Sequence, residues 1–62
     1  MSGKEALIEL LNGGTVEFGE RYYRYNHYKN IIEWDDYKQG NWKVSSITIN
    51  DFLAVQLWNR LE

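Results

Sequence analysis

The residues that could carry out acid–base chemistry in this chain are few. His27 is the only histidine among 62 residues, and there is no cysteine. A histidine base needs an orienting partner and a nucleophile or substrate within hydrogen-bonding reach, and no serine has the sequence context of a nucleophile elbow. We therefore interpret His27 as an exposed or interface residue at a strand end. The sequence predicts a protein that is not an enzyme.

Three carboxylates lie close together, at Glu33, Asp35 and Asp36. Such carboxylates can serve glycoside hydrolysis or bind a hard cation, but a calcium loop needs a longer oxygen-rich spacing. One histidine and no cysteine make a zinc site within one chain a poor prospect. We interpret the carboxylates as a solvated loop at a strand end, and we predict no metal and no cofactor.

Tyrosine, tryptophan and arginine carry the strongest binding signal. Arg21 and Arg24 alternate with tyrosines, and this combination could hold a nucleotide base and its phosphate. It could equally form a protein–protein hot spot, where Tyr, Trp and Arg are enriched, or simply pack across strands. We favour the hot spot, and the predicted binding residues are Tyr22, Arg24, Asn26, Tyr28, Trp34 and Trp42.

The small size of the chain makes self-association attractive. Ten of the 62 residues are aromatic, yet a domain of this length buries only about 60% of the surface that its unfolded chain exposes. Small domains are commonly stabilised by disulfides, metals or oligomerisation, and disulfides are impossible here. We expect a single domain over residues 1–62 that forms a homo-oligomer, either a dimer or a larger assembly.

Composition narrows the possible partners further. The net charge is −2 and the pI is about 5.3, so the basic patch needed for general nucleic-acid binding is not expected. No apolar stretch is long enough to span a membrane, and the first residues lack the pattern of a signal peptide. We expect a cytoplasmic protein without a membrane partner.

The first element is predicted to be a helix. Ser2 and Glu5 have the spacing of a capping box, and the glycines at 13 and 14 act as a stop signal rather than as a phosphate cradle. Leu7 and Leu11 are predicted core residues within an apolar stripe on one helix face. The members of that stripe are Ala6, Leu7, Leu10 and Leu11.

Extended segments with alternating polarity follow the helix. The side chains of Tyr23 and Tyr25 should lie under the helix, because successive side chains of a strand point to opposite faces. Those of Tyr22, Arg24, Asn26 and Tyr28 should then point away from it. Gly19-Glu20 is predicted to be a hairpin turn, and 35–40 a polar loop. The predicted extended segments are Thr15–Phe18, Arg21–Tyr28, Ile31–Trp34 and Asn41–Ile49.

The last segment leaves two alternatives. Thr48 or Asn50 can cap a helix that begins at Asp51, and leucines at every fourth position favour a helix to the end of the chain. A short helix to Gln56, followed by a strand over Leu57–Leu61, is nearly as compatible with the sequence. In either case the fold class is α+β, with the N-terminal helix packed on an antiparallel sheet of three to four strands.

Both ends of the chain resemble short phage and prophage proteins. The opening residues 4–16 (KEALIELLNGGTV) are similar to a start that many of these proteins share, and residues 47–53 with Leu57-Trp58 are similar to their close. Related frames occur in the phage sponge proteins that oppose Thoeris immunity by sequestering a cyclic nucleotide. Other short phage proteins, such as anti-Hachiman proteins, inhibit host defence complexes directly.

The resemblance implies a phage-encoded inhibitor that binds a host anti-phage defence protein. The alternative that it implies is a sponge for a cyclic nucleotide signal. The middle of the chain departs from the sponge pattern, which usually has a tryptophan soon after the first valine, whereas this chain has Phe18 and the tyrosine cluster. No ligand residue is therefore transferred from the resemblance.

Overall fold

A computed structural model describes residues 1–36 and 40–60, and within them the chain folds into a helix, a sheet and a second short helix. The elements are α1 Gly3–Leu11, β1 Thr15–Phe18, β2 Arg21–Asn26, β3 Ile31–Asp36, β4 Lys43–Val44, α2 Ile49–Ala54 and β5 Asn59–Arg60. All strand pairs are antiparallel, and the strand order is β4-β3-β2-β1-β5. The predicted α+β class is confirmed, with five strands in the described residues rather than three or four, of which two are short.

Helix α1 begins with the predicted capping box. The Glu5 N–H donates to the Ser2 hydroxyl oxygen, and the Glu5 carboxylate accepts hydrogen bonds from the Ser2 N–H and hydroxyl. These bonds stabilise the ionised form, so they lower the pKa of Glu5, the backbone N–H contributing most. The helix ends before Gly13, whose φ of 88° suits the left-handed conformation that glycine adopts easily.

The buried face of α1 differs from the predicted one. Ala6 and Leu10 are fully buried and Leu7 is half-buried, but Leu11 is 52% exposed, so its assignment to the core is wrong. The cause lies at Gly3, where a Cβ atom would stand 2.5 Å from the Leu53 carbonyl oxygen. This close approach of α2 rotates the small residues of α1 inward and leaves Leu11 outside.

The central hairpins follow the alternation in the sequence. Val16 lies opposite Tyr23, and Tyr23 lies opposite Trp34. Val16 and Tyr23 are buried, and Tyr25 packs against the same core, as predicted. Strand β2 ends at Asn26 rather than at Tyr28, because the Asn26 side-chain oxygen accepts the N–H groups of Tyr28 and Lys29 and turns the chain.

The end of the chain takes the second of the two alternatives. Thr48 caps α2, which stops at Ala54, and residues 59 and 60 pair with β1. Leu61, the last residue of the predicted strand, lies outside the described residues. Leu57 is 74% exposed, so the leucine spacing does not mark a helix face here. Trp58 is instead the central core residue: its indole stacks on Phe52 at 4.2 Å, and its N–H donates to the Phe52 carbonyl at 3.1 Å.

The fourth extended segment is shorter than predicted. Only Lys43 and Val44 form strand β4, and the Ser45 N–H adds one more hydrogen bond to the Ile32 carbonyl. The Ser45 hydroxyl then accepts the Ile47 N–H, which turns the chain toward α2. Residues 37–39 of the predicted loop lie outside the described residues. No helix in the described part of the chain is long and apolar enough to cross a membrane.

Candidate interaction surface

The side of the sheet away from α1 gathers most of the predicted binding residues. Tyr23 points to the helix, so its neighbours Tyr22 and Arg24 point the other way. Cross-strand pairing extends this side over β3 and β4, since Tyr22 lies opposite Asp35, and Arg24 opposite Glu33 and then Val44. We call this surface the open face, and its residues are Tyr22, Arg24, Asn26, Glu33, Asp35, Trp42 and Val44.

Arg24 is the centre of the open face. Its Nε donates to the Glu33 carboxylate at 3.0 Å, and its guanidinium carbon lies 4.2 Å from the centre of the Trp42 ring. Glu33 is buried, whereas the Arg24 side chain is 41% exposed. The arginine therefore has its charge compensated on one side and its plane covered by an indole. The result is a fixed arrangement of flat groups rather than a free cation.

Glu33 and Asp35 contradict the prediction of a solvated carboxylate loop. Both belong to β3, and Asp35 is only 1% exposed. The Gly40 N–H donates to one Asp35 oxygen at 2.8 Å, and Trp42 stacks on Arg24, so the segment that carries residues 40–42 folds back over these acids. The other oxygen of Asp35, Oδ1, has no hydrogen-bond partner among the described residues. The described residues contain no cluster of three or more potential metal ligands.

Trp34 and Tyr28 lie apart from the other predicted binding residues. Trp34 shares the helix side of the sheet with Tyr23, and it packs against the core. It therefore does not belong to the open face, because the parity of β3 sends it to the other side. Tyr28 lies in the turn after β2, and its side chain is fully exposed.

A small depression lies at the end of β2, beside the open face. Its volume is about 260 Å3, and the Tyr25 ring contacts the His27 ring edge to face at 4.9 Å within it. The Tyr25 hydroxyl reaches the side-chain oxygen of Asn30 at 3.3 Å. These contacts fix a concave rim of rings next to Arg24. The lining residues are Arg24, Tyr25, Asn26, His27 and Tyr28.

Helix α1 carries a second exposed apolar surface. Ile8 and Leu11 are 51% and 52% exposed, and residues three apart on a helix are neighbours. We call this pair the α1 outer pair. It lies on the other side of the molecule from the open face, because α1 covers the opposite side of the sheet.

Sequence reasoning missed three members of the open face. Glu33 and Val44 were placed in predicted extended segments but not among the binding residues, and Asp35 was placed in the predicted loop. The alternation that assigns Tyr22 and Arg24 reaches all three once the strand pairing is known. No protein-family model, curated protein or solved structure gives a significant match to this chain.

Proposed function

We propose that this protein is a non-enzymatic, phage-type binding protein that acts as a homo-oligomer and inhibits a host anti-phage defence protein by binding to it directly. The open face is the proposed contact surface. The observation that carries the proposal is the Arg24 guanidinium, which is held by Glu33, stacked on Trp42 and still partly exposed.

The residue types of the open face are those that dominate protein–protein hot spots. Binding costs entropy for every flexible side chain that must be ordered, so a preorganised surface loses less. Arg24 is already ordered by its ion pair and its stacking contact. Val44, at the edge of the same face, is 66% exposed and offers apolar area to a partner.

Self-association has separate support. The α1 outer pair exposes about half of each of two large aliphatic side chains, which is unfavourable in a domain with so small a core. A second copy that covers this pair would remove the exposed area and leave the open face available. The host target is inferred from the resemblance of both chain ends to short phage proteins.

A nucleotide sponge is the second candidate, because the depression beside Arg24 combines aromatic rings with an arginine. A phosphate group there would meet an arginine whose charge Glu33 already compensates. Two further carboxylates lie on the same side of the sheet. Glu17 of β1 and Asp35 of β3 are both directly opposite Tyr22 of β2. This local charge balance favours a protein partner over a phosphate-rich ligand.

The test is phage plating on bacteria that each carry one defence system, with and without the protein. Restored plating against one system identifies a target, whose purified component is then titrated with the protein by calorimetry. We expect direct binding that the substitution Tyr22→Ala weakens. Binding of a cyclic nucleotide without binding of any component of the silenced system would support the sponge and overturn the proposal.

A further inference from the structure

Two cations share one tryptophan on the helix side of the sheet. The Arg21 guanidinium carbon lies 4.3 Å from the centre of the Trp34 ring, and the Lys43 ammonium lies 4.5 Å from it. Lys43 is directly opposite Trp34 across β3 and β4, and Arg21 approaches from β2 on the other side of β3. The strand register itself thus brings both positive charges to the Trp34 ring.

No carboxylate among the described residues forms an ion pair with either cation. The ion pairs within residues 1–36 and 40–60 are Arg24–Glu33 and Arg60–Glu9. Asp36 lies directly opposite Arg21 in the register, yet it makes no ion pair with it. The chain as a whole has a net charge of −2, so two cations on one indole without an ion pair among the described residues are a local exception. An anion that binds beside the Trp34 ring would lower the electrostatic energy of both cations.

This cluster is open to a ligand. Helix α1 packs on β1, β2 and β5, and in the described part of the chain neither helix packs over β3 or β4. Arg21 and Lys43 are exposed, and Trp34 is half-buried. The indole fixes the positions of both cations, while their N–H groups stay accessible from solvent.

We propose that Arg21, Trp34 and Lys43 form a binding site for the phosphate group of a phosphate monoester. A phosphate monoester carries a charge of about −1.5 to −2 and three acceptor oxygens, so its charge matches that of the two cations, whereas the charge of one carboxylate matches only one of them. The arginine fork suits two phosphate oxygens, and lysine adds a point charge. The site does not depend on the proposed function, because it lies on the other side of the sheet from the open face.

The experiment follows the three indole N–H signals by NMR while phenyl phosphate is added, with benzoate as the matched carboxylate. We expect a saturable shift of the Trp34 signal with phenyl phosphate and a much weaker one with benzoate. Arg21→Gln and Lys43→Gln should each weaken binding about tenfold, the usual effect of losing one charged hydrogen bond. Both residues are exposed, so the melting temperature should change little.

Lys29→Gln is the matched control, since it removes one positive charge from the turn after β2. It should leave the affinity unchanged, and Asp36→Asn should strengthen it by removing the negative charge directly opposite Arg21 in the strand register. Benzoate binding as tightly as phenyl phosphate would contradict the proposal. So would equal weakening by Lys29→Gln, or a Trp34 signal that does not saturate.

Discussion

The two sides of the sheet bury different kinds of side chains. On the helix side, Val16, Tyr23, Phe52 and Trp58 form a dry core in which rings stack or meet edge to face. On the open face, Glu33 and Asp35 are equally buried, yet they lie under Arg24 and under the segment that carries Gly40 and Trp42. One side of the sheet is thus covered by apolar side chains, and the buried acids on the other side are covered by Arg24 and by the segment that carries Gly40 and Trp42.

This difference separates stability from recognition. Burial of apolar area contributes about 25 cal/mol per Å2, so the helix side holds the fold together. Buried charges cost desolvation energy that their partners only partly return, so the open face adds little to stability. Its value lies in the fixed positions of its charged and aromatic groups.

The largest expected effect is a loss of stability on replacement of Leu10, with the adjacent Leu11 as the control. Leu10→Ala should lower the free energy of unfolding by about 2–5 kcal/mol, because Leu10 is fully buried. That loss approaches the whole stability of a small domain, about 5 kcal/mol. Leu11→Ala makes the same chemical change at a half-exposed position and should cost far less. Urea unfolding followed by circular dichroism measures both, and equal losses would show that the helix is rotated from the position described.

A smaller effect distinguishes the two arginine ion pairs. Arg24→Ala leaves the buried Glu33 carboxylate without its partner, and it should cost about 1–2 kcal/mol after allowance for the partly exposed arginine. Arg60→Ala breaks the more exposed pair with Glu9 and should cost less than about 1 kcal/mol. The same unfolding assay applies, and a larger loss for Arg60→Ala would contradict the assignment of Glu33 as a buried acid.

Replacement of Asp35 is expected to raise the stability of the fold rather than lower it. Asp35→Asn removes a buried charge whose Oδ1 atom has no hydrogen-bond partner in the part of the chain that the structure describes, while the remaining side-chain oxygen can still accept the Gly40 N–H. We expect stabilisation of about 1 kcal/mol. Asp36→Asn, at the more exposed neighbouring position, should have almost no effect. A lower melting temperature for Asp35→Asn would mean that the carboxylate makes a favourable contact that this account lacks.

The smallest effect concerns pH. Hydrogen bonds from Ser2 lower the pKa of Glu5 in the folded state, so the ionised carboxylate stabilises the fold above the unfolded-state pKa. That contribution is lost as the pH falls through the folded-state pKa. Thermal melts from neutral to acidic pH should therefore show a steeper loss for the parent protein than for Glu5→Gln. Identical pH profiles for the two proteins would show that the Glu5 carboxylate does not contribute to the pH dependence of stability.

Local signals in the sequence were enough for the helix caps and the central hairpin. The Ser2–Glu5 spacing and the alternation around Tyr23 depend on neighbouring residues, and both predictions are confirmed. The rotation of α1 depends on a contact between Gly3 and Leu53, which are far apart in sequence, and for this reason Leu11 was misread. Leu57 was misread because the chain leaves α2 to pack Trp58 against Tyr23 of the sheet, another contact between distant residues.

The candidate surface, too, could be predicted only where it depends on neighbouring residues of one strand. Tyr22, Arg24 and Asn26 follow from the alternation of a single strand. The burial of Glu33 and Asp35 arises because the chain folds back over β3, and composition alone favours a solvated loop there. Trp34 was grouped by residue type, but strand parity sends it to the opposite side.

The most direct test of the central claim compares two exposed apolar positions in the phage plating assay. Val44→Arg places a bulky charge on the open face, and Leu57→Arg places the same charge just before β5, at the opposite edge of the sheet from β4, on a side chain that is also largely exposed. Both variants should keep the parent melting temperature. The account predicts that Val44→Arg abolishes the restored plating and that Leu57→Arg preserves it. Full activity of Val44→Arg, or equal loss in both variants, would contradict the assignment of the open face as the binding surface.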